Sequence, residues 1–234
     1  MKTRQNCEVC ENEECFLFKN CNPAWHDELN ANKSCVQYKK NQLIFKEGEF
    51  VQGIYFIQRG KVKVYKETNY RTQIVRFAED GDILGHRGIG GDNKYPISAS
   101  TLEDSLICFI SQDMLFKLLE NNSSLSIRMM MFYADELKKS EIRLRNMAVM
   151  TVRERVADAI LLIHESFGLI NTETDLLDVE LSRKDIAEIA GTYPEQVSRY
   201  ITEFKKNKIL DLSGKKIILL QPSRLREVIE KYDT

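Results

Sequence analysis

The sequence predicts an α+β chain in three parts: a β-barrel of the jelly-roll kind, one long dimerisation helix, and a C-terminal winged helix-turn-helix. Three observations carry this expectation. Short β-rich runs punctuated by glycine fill the first half, a single helical stripe spans the middle, and a capped helix–glycine–helix pattern followed by two apolar runs closes the chain. Four segments follow: a cysteine-rich stretch over 1–24, the barrel over 25–123, the helix over 124–150 and the winged domain over 151–234.

In the barrel, strands are expected at Gln42–Phe45, Gly53–Gln58, Lys61–Lys66, Gln73–Phe77 and Ser105–Ile110. Turns fall at Glu47-Gly48-Glu49, Arg59-Gly60 and Glu79-Asp80-Gly81-Asp82. Many short strands at this spacing make a barrel or jelly roll. The period then changes. Ile127, Met130, Ala134, Leu137, Glu141, Leu144 and Ala148 step by three and four along one stripe from about 125 to 150. At 1.5 Å per residue such a helix is roughly 39 Å long, more than one small domain buries. A second copy of the chain covers it, making Ile127, Met130, Ala134, Leu137, Leu144 and Ala148 a dimer interface; the other reading is a helix packed across its own barrel.

Thr151 to Phe167 is a further amphipathic helix ended by Gly168. Ser182 then caps a helix with Asp185 three residues on, and Ile186, Ala187, Ile189 and Ala190 form its apolar face. Gly191 breaks that helix and Pro194 starts the next, in which Val197 and Ile201 face inward. The outward positions are Glu195, Gln196, Ser198, Arg199 and Thr202, with Ser182, Arg183 and Thr192 around the turn. Side chains of these kinds can meet base edges and phosphates in a major groove. Ile209–Leu212 and Ile217–Leu220 read as strands joined by Ser213-Gly214-Lys215-Lys216, a wing whose Lys215 and Lys216 are suited to phosphate. Two surface helices joined by a glycine turn is the plainer account of the same pattern.

Composition sets the bounds. The 234 residues are 43% hydrophobic and 29% charged, which allows two modest domains with ordinary cores. No apolar run approaches the roughly 20 residues of a membrane helix, so the sequence reads as cytoplasmic with no membrane partner. A net charge of −1 argues against a general polycation, so affinity for nucleic acid has to come from local basic patches. No nucleophile, base and orienting group share a motif, which speaks against an enzyme.

Several stretches together resemble the Crp/Fnr family of bacterial transcription regulators over essentially the whole chain. Leu43-Ile44-Phe45-Lys46-Glu47-Gly48-Glu49 and Ile54 to Lys63 resemble the family's barrel signature. Gly81-Asp82-Ile83-Leu84-Gly85 resembles the loop that cradles phosphate in its cyclic-nucleotide members, and Glu195-Gln196-Val197-Ser198-Arg199 resembles the recognition-helix core. The resemblance implies a cyclic-nucleotide-binding-like barrel, a homodimer, palindromic double-stranded DNA with TTGA-like half-sites, and RNA polymerase as a partner. Members that bind cyclic AMP carry Gly-Glu-Leu and then an Arg-Ser pair whose guanidinium neutralises the phosphate. Here Gly81-Asp82-Ile83 and Tyr95-Pro96 stand at those places, which disfavours cyclic AMP.

Six cysteines point to the other branch, and four of them form Cys-x2-Cys-x4-Cys-x5-Cys at Cys7, Cys10, Cys15 and Cys21. A reducing compartment makes metal or cluster ligation a better account of that spacing than disulfides. Fnr-like sensors hold a [4Fe-4S] cluster through three N-terminal cysteines and one on a barrel strand. By that resemblance Cys7, Cys10, Cys15 and Cys108 are the ligands, with the middle spacing one residue short of the type pattern and Cys21 and Cys35 left over. Two other readings stay open. Cys7, Cys10, Cys15 and Cys21 can close a local zinc site, with Cys108 an ordinary buried thiol, or the thiols hold no metal.

The sequence thus reads as a metal-centred transcription regulator sensing oxygen, nitric oxide or redox state. Its rivals are a Crp-like regulator with another small ligand in the barrel and a structural zinc, and a ligand-binding barrel whose C-terminal domain only binds protein.

Overall fold

The computed structural model describes residues 2–3, 10, 12–170 and 175–230. The chain groups into two compact units, 1–67 with 76–138 and 68–75 with 139–234. Among the described residues no helix is long and apolar enough to cross a membrane.

The first unit carries β1 (Lys2–Thr3), α1 (Phe16–Asn20), α2 (His26–Asn32), β2 (Ser34–Tyr38), β3 (Leu43–Phe45), β4 (Gly53–Arg59) and β5 (Val62–Glu67). After them come β6 (Thr72–Ala78, from Arg76 on), β7 (Ile83–Leu84), β8 (Ser98–Thr101), β9 (Ser105–Ser111), α3 (Gln112–Asn121) and α4 (Ser123–Val149, as far as Lys138). One sheet runs β1-β2-β9-β4-β7 and the other β3-β8-β5-β6. This is the barrel-like body that the glycine-punctuated runs predict.

Strand β4 explains how the body is layered. Residues Gly53, Ile54, Phe56 and Ile57 are all buried, because both faces of the strand are covered. Tyr55 stacks on Phe45, with centroids 5.4 Å apart, on the face turned to the second sheet. Ile54 and Phe56 instead join Ile83 and Ile110 against Leu17, Leu29, Leu115, Leu118, Leu125 and Met129, a core supplied by α1 to α4. The N-terminal segment is therefore built into this core. Asn12 fixes its path by donating through Nδ2 to Gln58 O at 2.8 Å, and the Phe16 N–H donates to Gly81 O at 3.0 Å. Gly81 is required there: it holds φ +90°, and a Cβ would lie 2.7 Å from Glu14 O.

Helix α4 spans 27 residues, within two of the expected bounds at either end. Leu125, Met129, Glu136, Asn146 and Met150 are buried on one side. All seven stripe residues lie on the exposed side, with Leu137 62% and Leu144 73% accessible.

The second unit carries α5 (Val152–Phe167), α6 (Arg183–Ala190), α7 (Pro194–Lys206), β10 (Leu210–Ser213), β11 (Lys216–Leu219) and α8 (Pro222–Glu227). Local chemistry sets its boundaries. Thr151 with Glu154, and Ser182 with Asp185, form reciprocal capping boxes, and Gly191 ends α6 in the left-handed region at φ 61°. Pro194 opens α7, whose Val197, Ile201 and Phe204 are buried. Ser213 pairs with Lys216 around a two-residue turn in which Gly214 has φ 61°.

Candidate nucleic-acid interface and cysteine pocket

Of the expected DNA-facing residues, Ser182, Glu195, Ser198, Arg199, Thr202 and Lys215 are exposed, while Arg183, Thr192, Gln196 and Lys216 are half-buried. The hydroxyls of Ser198 and Thr202 donate one turn back, to Pro194 O at 2.9 Å and Ser198 O at 2.8 Å, and keep their acceptor lone pairs outward. Arg199 folds over its neighbour: Cζ lies 4.6 Å from the Tyr200 ring centroid and Nη2 donates to Tyr200 Oη at 2.7 Å. At the wing, Lys215 Nζ is 3.5 Å from Glu180 Oε1, an exposed pair that DNA phosphate can displace.

Between recognition helix and wing lies a hollow of about 450 Å³ lined by Arg183, Ser198, Ile201, Thr202, Lys205, Lys206 and Leu212. It adds Lys205 and Lys206 to the candidate interface. Their place in the last turn of α7 is the signal that the sequence offers for them. Lys205 reaches Asp211 Oδ1 at 2.5 Å and, with the Leu212 N–H, holds that carboxyl below its usual range. In the same unit the turn after β5 meets the helix-turn-helix, where the Arg71 guanidinium lies 4.3 Å from the Tyr193 ring and bonds its hydroxyl.

The cysteines divide in a way that spacing does not reveal. Phe56 and Cys108 are register partners, so Cys108 shares the face of the sheet that the N-terminal segment covers. There Cys10, Cys15 and Cys108 line one pocket with Asn12, Leu17, Phe18, Leu29, Lys33, Phe56 and Gln58. Cys7 lies outside the described residues.

Two of the expected ligands stand as follows. Cys108, read as a cluster thiolate or an ordinary buried thiol, forms a disulfide with Cys35, because the two face each other across antiparallel β2 and β9. Cys21, offered as the fourth ligand of a local zinc site, does not line the pocket. As the residue ending α1 it turns into the core, with Sγ 3.9 Å from Asn122 Oδ1. Among the described residues no cluster of three or more metal-ligating side chains is assembled.

The pocket's donors suit an iron–sulfur centre in kind: sulfur atoms among apolar walls, with the Lys33 side chain to balance the negative charge of ligating thiolates. Its free space is about 20 Å³, the room of one water, so the disulfide-bonded form is a closed one.

At the other end of this face, α4 delivers Glu136 to a buried charge cluster. Its Oε2 lies 2.8 Å from Arg87 Nη2, 3.7 Å from Arg76 Nη1 and 3.9 Å from His86 Nε2. The Tyr133 hydroxyl donates to His86 O at 2.7 Å. Burial, and then the charges of Arg76 and Arg87, hold the His86 pKa well below its usual value, and neither ring nitrogen has a hydrogen-bond partner among the described residues. Native His86 therefore stays neutral where an unfolded-chain histidine takes up a proton. Stability should be unaffected by His86 above about pH 6.5 and fall as pH drops below it. Urea titrations from about pH 7 to pH 5 check this, with His86→Gln expected to show a shallower loss; parallel curves would exonerate His86. Tyr95, where the cyclic-AMP pattern has its arginine–serine region, is buried and donates to Gly53 O at 2.8 Å.

Comparison with known proteins agrees with this architecture. Residues 35–122 match a cyclic nucleotide-binding domain and residues 154–228 a Crp-like helix-turn-helix domain. The chain is 28% identical over 203 residues to the fumarate and nitrate reduction regulatory protein of Vibrio cholerae, covering 86% of this chain and 80% of that protein. It is 26% identical over 203 residues to the transcriptional activatory protein AadR of Rhodopseudomonas palustris, covering 86% and 84%. The structure of FixK2 from Bradyrhizobium japonicum superposes with a TM-score of 0.75 at 25% identity, over 84% of this chain and 96% of that one. With barrel, long helix and Crp-like helix-turn-helix in this order, the chain belongs to the Crp/Fnr family of DNA-binding transcription regulators, which are not enzymes.

Proposed function

We propose that this regulator answers to oxygen, nitric oxide or redox state through a metal centre held by its cysteines. The observation that carries the reading is the convergence of Cys10, Cys15 and Cys108 on one pocket beneath the N-terminal segment. Cys10, Cys15 and Cys108, with Cys7 from the adjoining segment, would hold a [4Fe-4S] cluster, which supplies an oxygen-labile redox group when bound. The names of the relatives support this, since they include a fumarate and nitrate reduction regulatory protein and an anaerobic regulatory protein of Bacillus subtilis. Cyclic AMP is not the signal in this reading, because Tyr95 and Pro96 offer its phosphate no cation.

The chain's own residues transmit the state of the pocket. Asn12 and Phe16 tie the segment to β4 and to the Gly81 loop, and the segment packs against Leu125 and Met129 of α4. Ordering of the segment thereby bears on the helix whose outer stripe meets a second copy in a homodimer. The dimer sets two recognition helices about 34 Å apart for TTGA-like half-sites in successive major grooves. In each, Arg199 reads guanine, Glu195 accepts from cytosine, Ser198 meets the neighbouring pair, and Lys215 and Lys216 hold phosphate. RNA polymerase is the next partner on that DNA, and the setting is cytoplasmic.

Full-length protein purified without oxygen should contain iron and retard a duplex bearing paired TTGA half-sites; air should release the iron and weaken binding. Cys10→Ser and Cys15→Ser should lose both the iron and the response to air. Iron-free anaerobic protein whose DNA binding ignores air would defeat the sensing role while leaving the DNA-binding assignment intact.

A further inference from the structure

We propose that the Cys35–Cys108 bond is a second redox site, which gates loading of the cysteine pocket. The inference rests on the reading of Cys108 as a ligand. Cys108 has two mutually exclusive partners in this fold. Across the strands it meets Cys35, with which it forms a disulfide, while on its open side it borders the pocket shared with Cys10 and Cys15. A sulfur in a disulfide is not a thiolate donor, so the bonded form is a pocket that lacks its strand-borne ligand.

The surroundings fit a sulfur that alternates between these states. Gln58 Oε1 lies 3.6 Å from Cys108 Sγ and is placed to accept a hydrogen bond from the thiol once the disulfide opens. Lys33, itself buried, lines the same pocket and brings a cationic side chain to its wall. Cys35 is fully buried and Cys108 is 5% accessible, so Cys108 is the less deeply buried sulfur of the bond and the one on the pocket side.

The exchange balances with a dithiol as co-reactant. One thiolate of the dithiol attacks Cys108 Sγ, forming a mixed disulfide and expelling Cys35 as a thiolate that takes a proton. The second thiolate of the dithiol then closes on the first, leaving as an intramolecular disulfide and releasing the Cys108 thiolate. Two electrons pass from the dithiol to the protein bond, and Cys108 becomes available as a ligand. Re-oxidation by a disulfide oxidant is the reverse. The protein thus requires two conditions for its active form: a reducing thiol poise to free Cys108, and absence of the agents that dismantle the metal centre.

The test uses full-length, metal-free protein held without oxygen, with dithiothreitol as the dithiol. Before reduction, alkylation and peptide mass analysis should find Cys35 and Cys108 linked; after it, both alkylated. Iron and sulfide added to the linked form, once free dithiol has been removed, should give about tenfold less of the sulfur-to-iron absorption band than in the reduced form. Cys35→Ser, and Cys35→Ala as a second variant, should take up iron fully with or without prior reduction. If the linked form loads as completely as the reduced one, or no Cys35–Cys108 peptide is found, the gate is overturned while the cluster assignment stands. If neither reduced wild type nor the Cys35 variants take up iron, the cluster assignment itself falls, and the gate falls with it.

Discussion

Arg199→Ala should weaken binding to the cognate half-site by about 1–3 kcal/mol and relax preference at one base pair, with little loss on random DNA. Arg199 is exposed on α7, one helical turn from Glu195 and Thr202, and its guanidinium engages the neighbouring Tyr200. That contact is exchanged for a guanine edge at modest cost, because the Arg199 side chain stays at the surface. A dimer presents two copies, so the loss on a full operator should reach up to about twice the half-site figure. Lys215 and Lys216 provide the contrast. Replacing either should weaken cognate and random DNA alike and lower the slope of log affinity against log salt by about one per phosphate contact. Retardation titrations at several salt concentrations separate the two behaviours. Equal losses on both DNAs for Arg199→Ala would reassign it to phosphate, and the TTGA reading would go with it.

Glu136→Ala should destabilise the protein by about 3 kcal/mol, because it removes the shared partner of a buried cluster. The Glu136 side chain is only 9% accessible and its Oε2 contacts both Arg87 and Arg76. Without it, two guanidinium groups stay close together in a region walled by Phe132, with Arg76 Cζ 5.7 Å from that ring. Asp82 still neutralises part of the charge, at 3.3 Å from Arg76 Nη2, which keeps the loss below that of a wholly unpaired buried ion. Glu136→Gln should cost less, since it keeps the shape and one acceptor. Urea unfolding at neutral pH measures both, and a loss under about 1 kcal/mol for Glu136→Ala would show that the arginines find water instead.

What was legible in the sequence was local. The caps at Thr151 and Ser182, the break at Gly191 and the proline start at Pro194 are each decided by a few neighbouring residues, and the winged domain follows from them. The strand pattern was legible where runs are long and apolar, as in β4 and β9. It was not at β2, β7 and β8: Ser98–Thr101 is wholly buried although serine and threonine make up three of its four residues, because neighbouring strands take up its backbone groups. Helices α1 to α3 gave too short a period to read. The cysteine pairing depends on strand register, which joins positions 73 residues apart and leaves no trace in spacing. Glu136 shows the same limit, for its partners arrive from the β6 strand and from the loop after β7.

Arg155 gives the join between α4 and α5 a distinctive character. Its guanidinium donates to Ala190 O at 3.0 Å, Met150 O at 3.2 Å and Met147 O at 3.4 Å, while Arg143 Nη2 reaches Ile189 O at 3.0 Å. The last carbonyls of two helices, which would otherwise have to find water, are thereby shared among cations from the same neighbourhood. In hydrogen-exchange terms, the end of α4, the start of α5 and the whole of α6 should open together as one cooperative block. The C-terminal end of the long helix then belongs with the DNA-reading module.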